Sequence, residues 1–174
     1  YDPRSQLTSY TRAGTTVSHT YDGVGRRVAR TKSGAETRFV LDTVAPLFRV
    51  LQETDDLGAV QASFVYGLGL IERIDSGGSA GIHHYDFRGS TIAITDDVGT
   101  VTDSYAYDPF GTIYGATLPL SDPFLFLGAH GVMAEDEHLQ FVRARFYESL
   151  GGRFVSRDLK EGELLSPQTL HRYV

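Results

Sequence analysis

Tyr85-Asp86-Phe87-Arg88-Gly89 and Tyr107-Asp108-Pro109-Phe110-Gly111 are two copies of one phrase: Tyr-Asp, two residues, then Gly. A third copy is Tyr21-Asp22-Gly23-Val24-Gly25. Tyr1-Asp2-Pro3-Arg4-Ser5 is a looser copy, Tyr66-Gly67-Leu68-Gly69-Leu70 has one Gly moved, and Leu41-Asp42 is degenerate. The starts at 1, 21, 41, 66, 85 and 107 are separated by 20, 20, 25, 19 and 22 residues. A period near twenty residues marks a repeat architecture, in which each unit buries a face of its neighbour.

The stretches between the phrases alternate in polarity. In Glu36–Leu41 the pattern sends Phe39 and Leu41 one way, and Arg38 and Val40 the other. In Thr91–Thr95 it puts Ile92 and Ile94 on one face, and in Val101–Tyr107 it groups Val101, Tyr105 and Tyr107. Period two in short runs rich in Val, Ile, Thr and aromatics predicts strands. A second phrase, Thr54-Asp55-Asp56-Leu57-Gly58-Ala59-Val60, recurs as Thr95-Asp96-Asp97-Val98-Gly99-Thr100-Val101. Asp-x-Gly ahead of an alternating run is hairpin chemistry, because Gly takes the positive φ of the turn. Lys32-Ser33-Gly34 and Ser76-Gly77-Gly78 read as further turns. Each period is thus a strand, a turn and a strand. Lone hairpins are marginal in water, so these must pair into one long antiparallel sheet.

After residue 115 the phrase stops. Asp122–Gly128 reads as a short apolar strand, and Ala134–His138 as a solvated acidic turn. Leu139–Tyr147 reads as one strand, with Val142, Ala144 and Phe146 on one face and Phe141, Arg143, Arg145 and Tyr147 on the other. A helix over 134–149 is the competing reading, and from Glu161 onward the chain is polar and loop-like. The expected organisation is hairpin units over 1–115 and a distinct segment over 116–174. Both ends stop in mid-pattern, which predicts a piece of a longer chain.

Composition narrows the function. With 41% apolar residues the 174-residue chain can build a core, and 19 Gly without Trp fits short strands. A net charge of −6 argues against nucleic-acid binding, whose affinity comes from clustered cations. There is no Cys, hence no disulfide and no thiol catalysis, and no apolar run approaches the length of a membrane span.

The Tyr-Asp phrases resemble the YD repeats of bacterial Rhs proteins, of the C components of Tc toxins and of teneurins. The order Tyr85–Ser90, Tyr107–Gly111, Phe124–Gly128, Arg143–Tyr147 and Gly152–Asp158 resembles the Rhs-repeat-associated core, and Leu170–Val174 resembles the stretch before its closing motif. The resemblance implies an all-β fold. Hairpin repeats form a spiralling sheet that closes into a hollow shell, and a core segment curls inward as a plug. It further implies a bacterial, secreted or surface-delivered parent whose shell encloses a C-terminal toxin domain. That domain is freed by aspartyl-type self-cleavage. Arg153 and Asp158 occupy the matching Gly-Arg-Phe…Asp positions, although Arg157 and Leu159 flank the Asp where the family usually has Pro; a structural salt bridge within the plug is the other reading of the two residues. An aspartyl mechanism needs a second carboxylate, and none is identified by the pattern.

The implied partners are the rest of the shell and the enclosed toxin domain. Exposed Tyr and Asp could also meet a cell-surface glycan or protein. No cofactor and no metal are expected. Gly77-Gly78-Ser79-Ala80-Gly81 matches a nucleophile elbow, but a strand follows where that motif needs a helix. His83 and His84 read as polar flanks of that strand. His130, His138 and Glu135–Glu137 fit no metal-ligand template, and Asp55-Asp56 and Asp96-Asp97 lack calcium-loop spacing. Tyr21, Asp22, Gly25, Tyr85, Asp86, Gly89, Tyr107, Asp108 and Gly111 recur with the repeat, so they read as its structural residues, with each Asp bonding nearby amides.

Overall fold

The structure, a computed structural model, describes residues 1–45, 47–117, 120 and 122–156. Eleven strands form one sheet in strict chain order, each antiparallel to the next. They are β1 (Ser9–Arg12), β2 (Thr15–Tyr21), β3 (Arg27–Lys32), β4 (Ala35–Asp42), β5 (Arg49–Thr54), β6 (Val60–Tyr66), β7 (Leu70–Asp75), β8 (Ala80–Tyr85), β9 (Thr91–Thr95), β10 (Val101–Tyr107) and β11 (Ile113–Ala116). A 3-10 turn (Gly128–His130) leads to a smaller meander of four strands. These are β12 (Met133–Ala134), β13 (Leu139–Val142), β14 (Arg145–Glu148) and β15 (Arg153–Phe154). Among the described residues there is no α-helix.

One turn is built seven times, starting at Asp2, Asp22, Asp55, Asp75, Asp86, Asp96 and Asp108. The carbonyl of each Asp accepts the N–H three residues on, and its own N–H donates to the carbonyl four residues on. Its Oδ1 accepts the N–H groups two and four residues on. One short side chain thereby satisfies the amides that a four-residue loop exposes. The third residue after Asp has positive φ in every copy; it is Ser5 in the first and Gly in the others. Hence the Tyr-Asp phrase and the Thr-Asp-Asp phrase are the same hairpin turn, at opposite ends of the strands.

The turns differ in what surrounds them. A Cβ on Gly99 (φ 87) would meet nothing, whereas one on Gly111 (φ 91) would lie 2.5 Å from Phe126. Gly99→Ala should cost about 1–2 kcal/mol from the left-handed backbone alone. Gly111→Ala should add about 1–3 kcal/mol of overpacking. Urea midpoints of the two variants check this; equal losses would mean that Phe126 moves aside without cost.

The strand after each Tyr-Asp turn carries a bulge at a fixed place. The register skips Val28, Leu51, Ile71, Ile92 and Tyr114. Two further skips, at Gln61 and Thr102, follow the turns at Asp55 and Asp96. An extra residue reverses the in–out parity of a strand. This corrects two expected faces. Ile92 is 44% exposed while Ile94 is 4% exposed, and Val101 is exposed while Tyr105 is buried. Phe39 and Val40 keep the expected alternation, since no bulge separates them.

Residues 122–156 fold back over one face of the large sheet. Phe124, Met133, Leu139, Phe141 and Phe146 pack with Leu7, Phe39, Val50, Ala62, Phe64 and Leu70. Leu125 packs with Ile94 and Tyr105. Asp122–Gly128 is no strand: Phe124 and Leu125 are consecutive yet both are 1% exposed, which a strand lying on one face cannot achieve. The segment is instead pinned to β9. Thr91 donates its N–H to Leu125 and its hydroxyl to Phe124, and Ser90 Oγ accepts the Leu127 N–H. Leu139–Tyr147 is a hairpin, not one strand, bent at Arg143-Ala144 so that Phe141 and Phe146 face each other across it. The helix considered for 134–149 does not form.

Candidate functional site

The tyrosines of the repeat stitch one hairpin to the preceding one. Tyr21 donates its hydroxyl to the Leu7 carbonyl, Tyr66 to Val50, Tyr85 to Leu70 and Tyr107 to Thr91, at 2.6–2.9 Å. Leu70 and Thr91 open β7 and β9, Val50 is the second residue of β5, and Leu7 lies two residues ahead of β1. Burial raises all four phenols above their ordinary range. Each hydroxyl is thus engaged within the sheet, its ring half-buried. The leucine at position 41 breaks the series. Asp22 and Asp86 also hold Arg26 and Arg88, at 2.7 and 3.1 Å. For both, burial is the largest single influence and pushes the carboxyl up, but the backbone N–H bonds and the arginine together outweigh it and keep the carboxyls below their ordinary value.

The densest chemistry lies between the sheet and its covering segment. Arg27, the first residue of β3, is fully buried, and its guanidinium pairs with Glu135 in the β12–β13 turn. Arg27 also lies over Phe141 at 3.9 Å and Phe39 at 4.8 Å, and donates to Met133 Sδ at 3.3 Å. Arg30 approaches the other oxygen of Glu135 at 3.5 Å. Arg12 bridges Asp136 at 2.8 Å and Glu148 at 3.5 Å. Glu135 is therefore not part of a solvated turn. Burial pushes its pKa up, but Arg27, Arg30 and His19 outweigh that and hold it below the ordinary value. A charge run in a turn between short strands gave no sign that one of its three acids would point inward.

A second polar group sits further along the sheet. His83 Nε2 lies 3.2 Å from Asp122 Oδ1, within ion-pair distance but misaligned for a hydrogen bond, and Arg73 approaches Oδ2 at 4.0 Å. His83 is buried, unlike its neighbour His84, which faces solvent and meets Thr95 at 3.0 Å. Asp122 and Glu53 border one cleft of about 400 Å³ with Arg30 and Lys32. Burial raises the Glu53 carboxyl. Among the described residues no three His, Cys, Asp or Glu side chains gather in a way that could hold a metal. His130 instead meets the Arg88 carbonyl at 3.0 Å.

Arg153 lies on β15, exposed, opposite Glu148. Among the described residues no buried carboxylate accompanies it. Asp158, the other residue of the pair expected for self-cleavage, lies outside the described residues. The Gly77–Gly81 elbow match spans the β7–β8 turn and leads into a strand.

His19 should make the junction pH-sensitive. It stands 4.7 Å from the Phe146 ring and 6.0 Å from the Tyr10 ring. Burial lowers its pKa from 6.5 to about 4, with Arg27 and Arg30 adding to the shift and Glu135 opposing it. The unfolded chain binds this proton below 6.5, and the folded chain only below about 4. Stability should therefore fall as pH drops from 6.5 to 4 and gain no further loss from this group below that. The raised Glu53 works in the opposite direction near its own range. Unfolding free energies measured across pH should lose this slope in His19→Phe; an unchanged slope would assign it elsewhere.

A sequential meander of Tyr-Asp hairpins that carries its own C-terminal segment on one face is a segment of a YD-repeat β shell. The chain matches the Teneurin YD-shell family over residues 1–173 and belongs to it. It is 30% identical over 169 residues to the tRNA3(Ser)-specific nuclease WapA of Bacillus spizizenii, which covers 93% of this chain and 7% of that protein. Teneurin-1 of Mus musculus is 31% identical over 150 residues, 83% of this chain and 5% of that protein. The crystal structure of TcdB2-TccC3 superposes with a TM-score of 0.68 at 15% identity, over 99% of this chain and 9% of that one. At that identity the likeness speaks for the fold. The chain spans about 7% of the length of the WapA relatives it matches.

Proposed function

We propose that the chain is wall and plug of an Rhs-like container that encloses a C-terminal toxin domain of the same longer protein, delivered outside a bacterial cell. The shell role follows from the family. The plug role rests on one observation: residues 122–156 close over the sheet through a buried Arg27–Glu135 pair and an apolar cluster reaching from Leu7 to Phe146. A lid held only by surface contacts would not need a charge pair taken out of water, which is costly unless well matched. The nuclease activity named for the WapA relatives makes a nuclease one candidate cargo.

The parent with its natural downstream sequence provides the test. Its C-terminal domain should resist trypsin in the intact protein and become sensitive when Glu135→Ala loosens the covering segment. Sensitivity in the intact protein would overturn encapsulation. Release is assigned to Asp158, with Arg153 stabilising charge. Asp158→Asn should leave the parent as one band on a gel where the unaltered protein gives two. Equal processing would remove Asp158 from the mechanism.

A further inference from the structure

β13 and β14 are joined by Arg143-Ala144 alone. The Ala144 N–H returns to the Val142 carbonyl at 2.6 Å, and Arg143 has φ 54. A three-residue turn of this hand is rare and strained, and such strain persists only where its surroundings impose it. The guanidinium rests against Gly131, where a Cβ would lie 3.1 Å from Nη2. From the sheet, Arg49 stands over the Tyr66 ring at 5.2 Å. The Tyr66 hydroxyl is bonded to the Val50 carbonyl, so the ring forms a floor. With Leu47, Leu68 and His130 these groups line an open cleft of about 470 Å³.

Arg27 and Arg30 meet Glu135, and Arg73 meets Asp122. Among the described residues Arg49 and Arg143 meet no carboxylate, and Arg143 Nε is buried without a hydrogen bond. Burial, with Arg49 alongside, lowers the Arg143 pKa from its ordinary value. Asp42 faces Arg49 across the β4–β5 register, but its Oδ1 accepts the Val44 N–H; two cations brought together without a carboxylate in ion-pair range are an unfavourable arrangement for the free protein. The arrangement becomes favourable once an anion bridges them. Guanidinium forks match planar carboxylates two bonds at a time. Leu47 and Leu68, both exposed at the mouth, suit an apolar flank beside that carboxylate.

We propose that the Arg49–Arg143 cleft binds a carboxylate carried on an apolar-flanked peptide, as a Glu or Asp side chain or as a free C-terminus. The apolar walls select a peptide over a bare ion. The site lies where the covering segment meets the β4–β5 and β6–β7 turns, so an acidic peptide seated there touches both and fastens one to the other.

Titration of the isotope-labelled 174-residue chain tests the proposal by NMR. The probes are acetyl-Leu-Glu-Leu-amide, acetyl-Leu-Leu with a free C-terminus, acetyl-Leu-Gln-Leu-amide and inorganic phosphate. One or both carboxylate peptides should shift the amides of Gly69, Ala129 and His130 and the Arg Nε–H signals. Which of the two binds tells side-chain from terminal carboxylate. The Gln peptide should bind at least about tenfold more weakly, the loss expected of a charge-assisted bidentate contact. Arg49→Gln should weaken the carboxylate peptides by a similar factor with an unchanged melting temperature. Arg143→Lys should do the same, because a lysine keeps the charge and loses the fork; if it unfolds the chain, Arg49→Gln alone decides. Absence of shifts with both carboxylate peptides, binding indifferent to Arg49→Gln, or phosphate binding as well as the peptides would each overturn the proposal.

Discussion

Glu135→Ala should destabilise the chain by about 3–5 kcal/mol, because it leaves the Arg27 guanidinium buried without its counter-charge. Both side chains are almost wholly out of water. Arg27 cannot swing out to solvent, since Phe39 and Phe141 lie against it. Arg30, at 3.5 Å from Glu135, would also lose its partner but remains partly exposed and can rehydrate. The pair itself is a different matter. A paired charge in a core is often no better than well-packed apolar side chains of the same volume, so Arg27→Met combined with Glu135→Leu should lie within about 1–2 kcal/mol of the unaltered chain. Urea unfolding of the single and double variants separates these terms. A small loss for Glu135→Ala would mean that water enters the junction and solvates Arg27. A loss for the double variant equal to that of the single one would mean that the pair holds the covering segment by charge.

The sheet was legible in the sequence because its signals are local. The seven Asp turns need only one side chain and one residue of positive φ, both visible within five positions. The bulges were not legible. Ile92 and Ile94 alternate correctly on paper, and only the register against β8, which skips Ile92, reveals that they face opposite ways. The covering segment was misread for a related reason. Its residues are chosen for contacts with strands far away in sequence, as between Arg12 and Glu148, 136 positions apart, and no local period records such a partner. Glu135 is the sharpest case. Nothing distinguishes it from Asp136 and Glu137 until β3 delivers Arg27 beneath it. Asp turns are self-sufficient and can be read one at a time; buried charges are read only in pairs.

The same reasoning gives the largest apolar effect to Phe124. Phe124→Ala should cost about 3–5 kcal/mol, the range for removing a buried aromatic and leaving a cavity. The residue is 1% exposed and meets Phe64 of β6 edge-on at 5.0 Å. It has no ladder to hold it: its N–H is satisfied by Asp122 at 2.7 Å, and its carbonyl accepts the Thr91 hydroxyl at 2.6 Å. The ring is thus the main tie between this stretch and the sheet, and the polar bonds follow only while the ring stays seated. Phe87→Ala, at a turn tip where the ring is 97% exposed, should change stability by less than about 0.5 kcal/mol. Hydrogen exchange adds a local readout. In Phe124→Ala the amides of Thr91 and Leu127, which bond across the junction, should exchange faster than those in the middle of β3 and β4. Uniform acceleration throughout the sheet would instead make wall and cover a single cooperative unit. A loss near that of Phe87→Ala would mean that the cover is held by its buried charges and that the apolar cluster merely fills space beneath it.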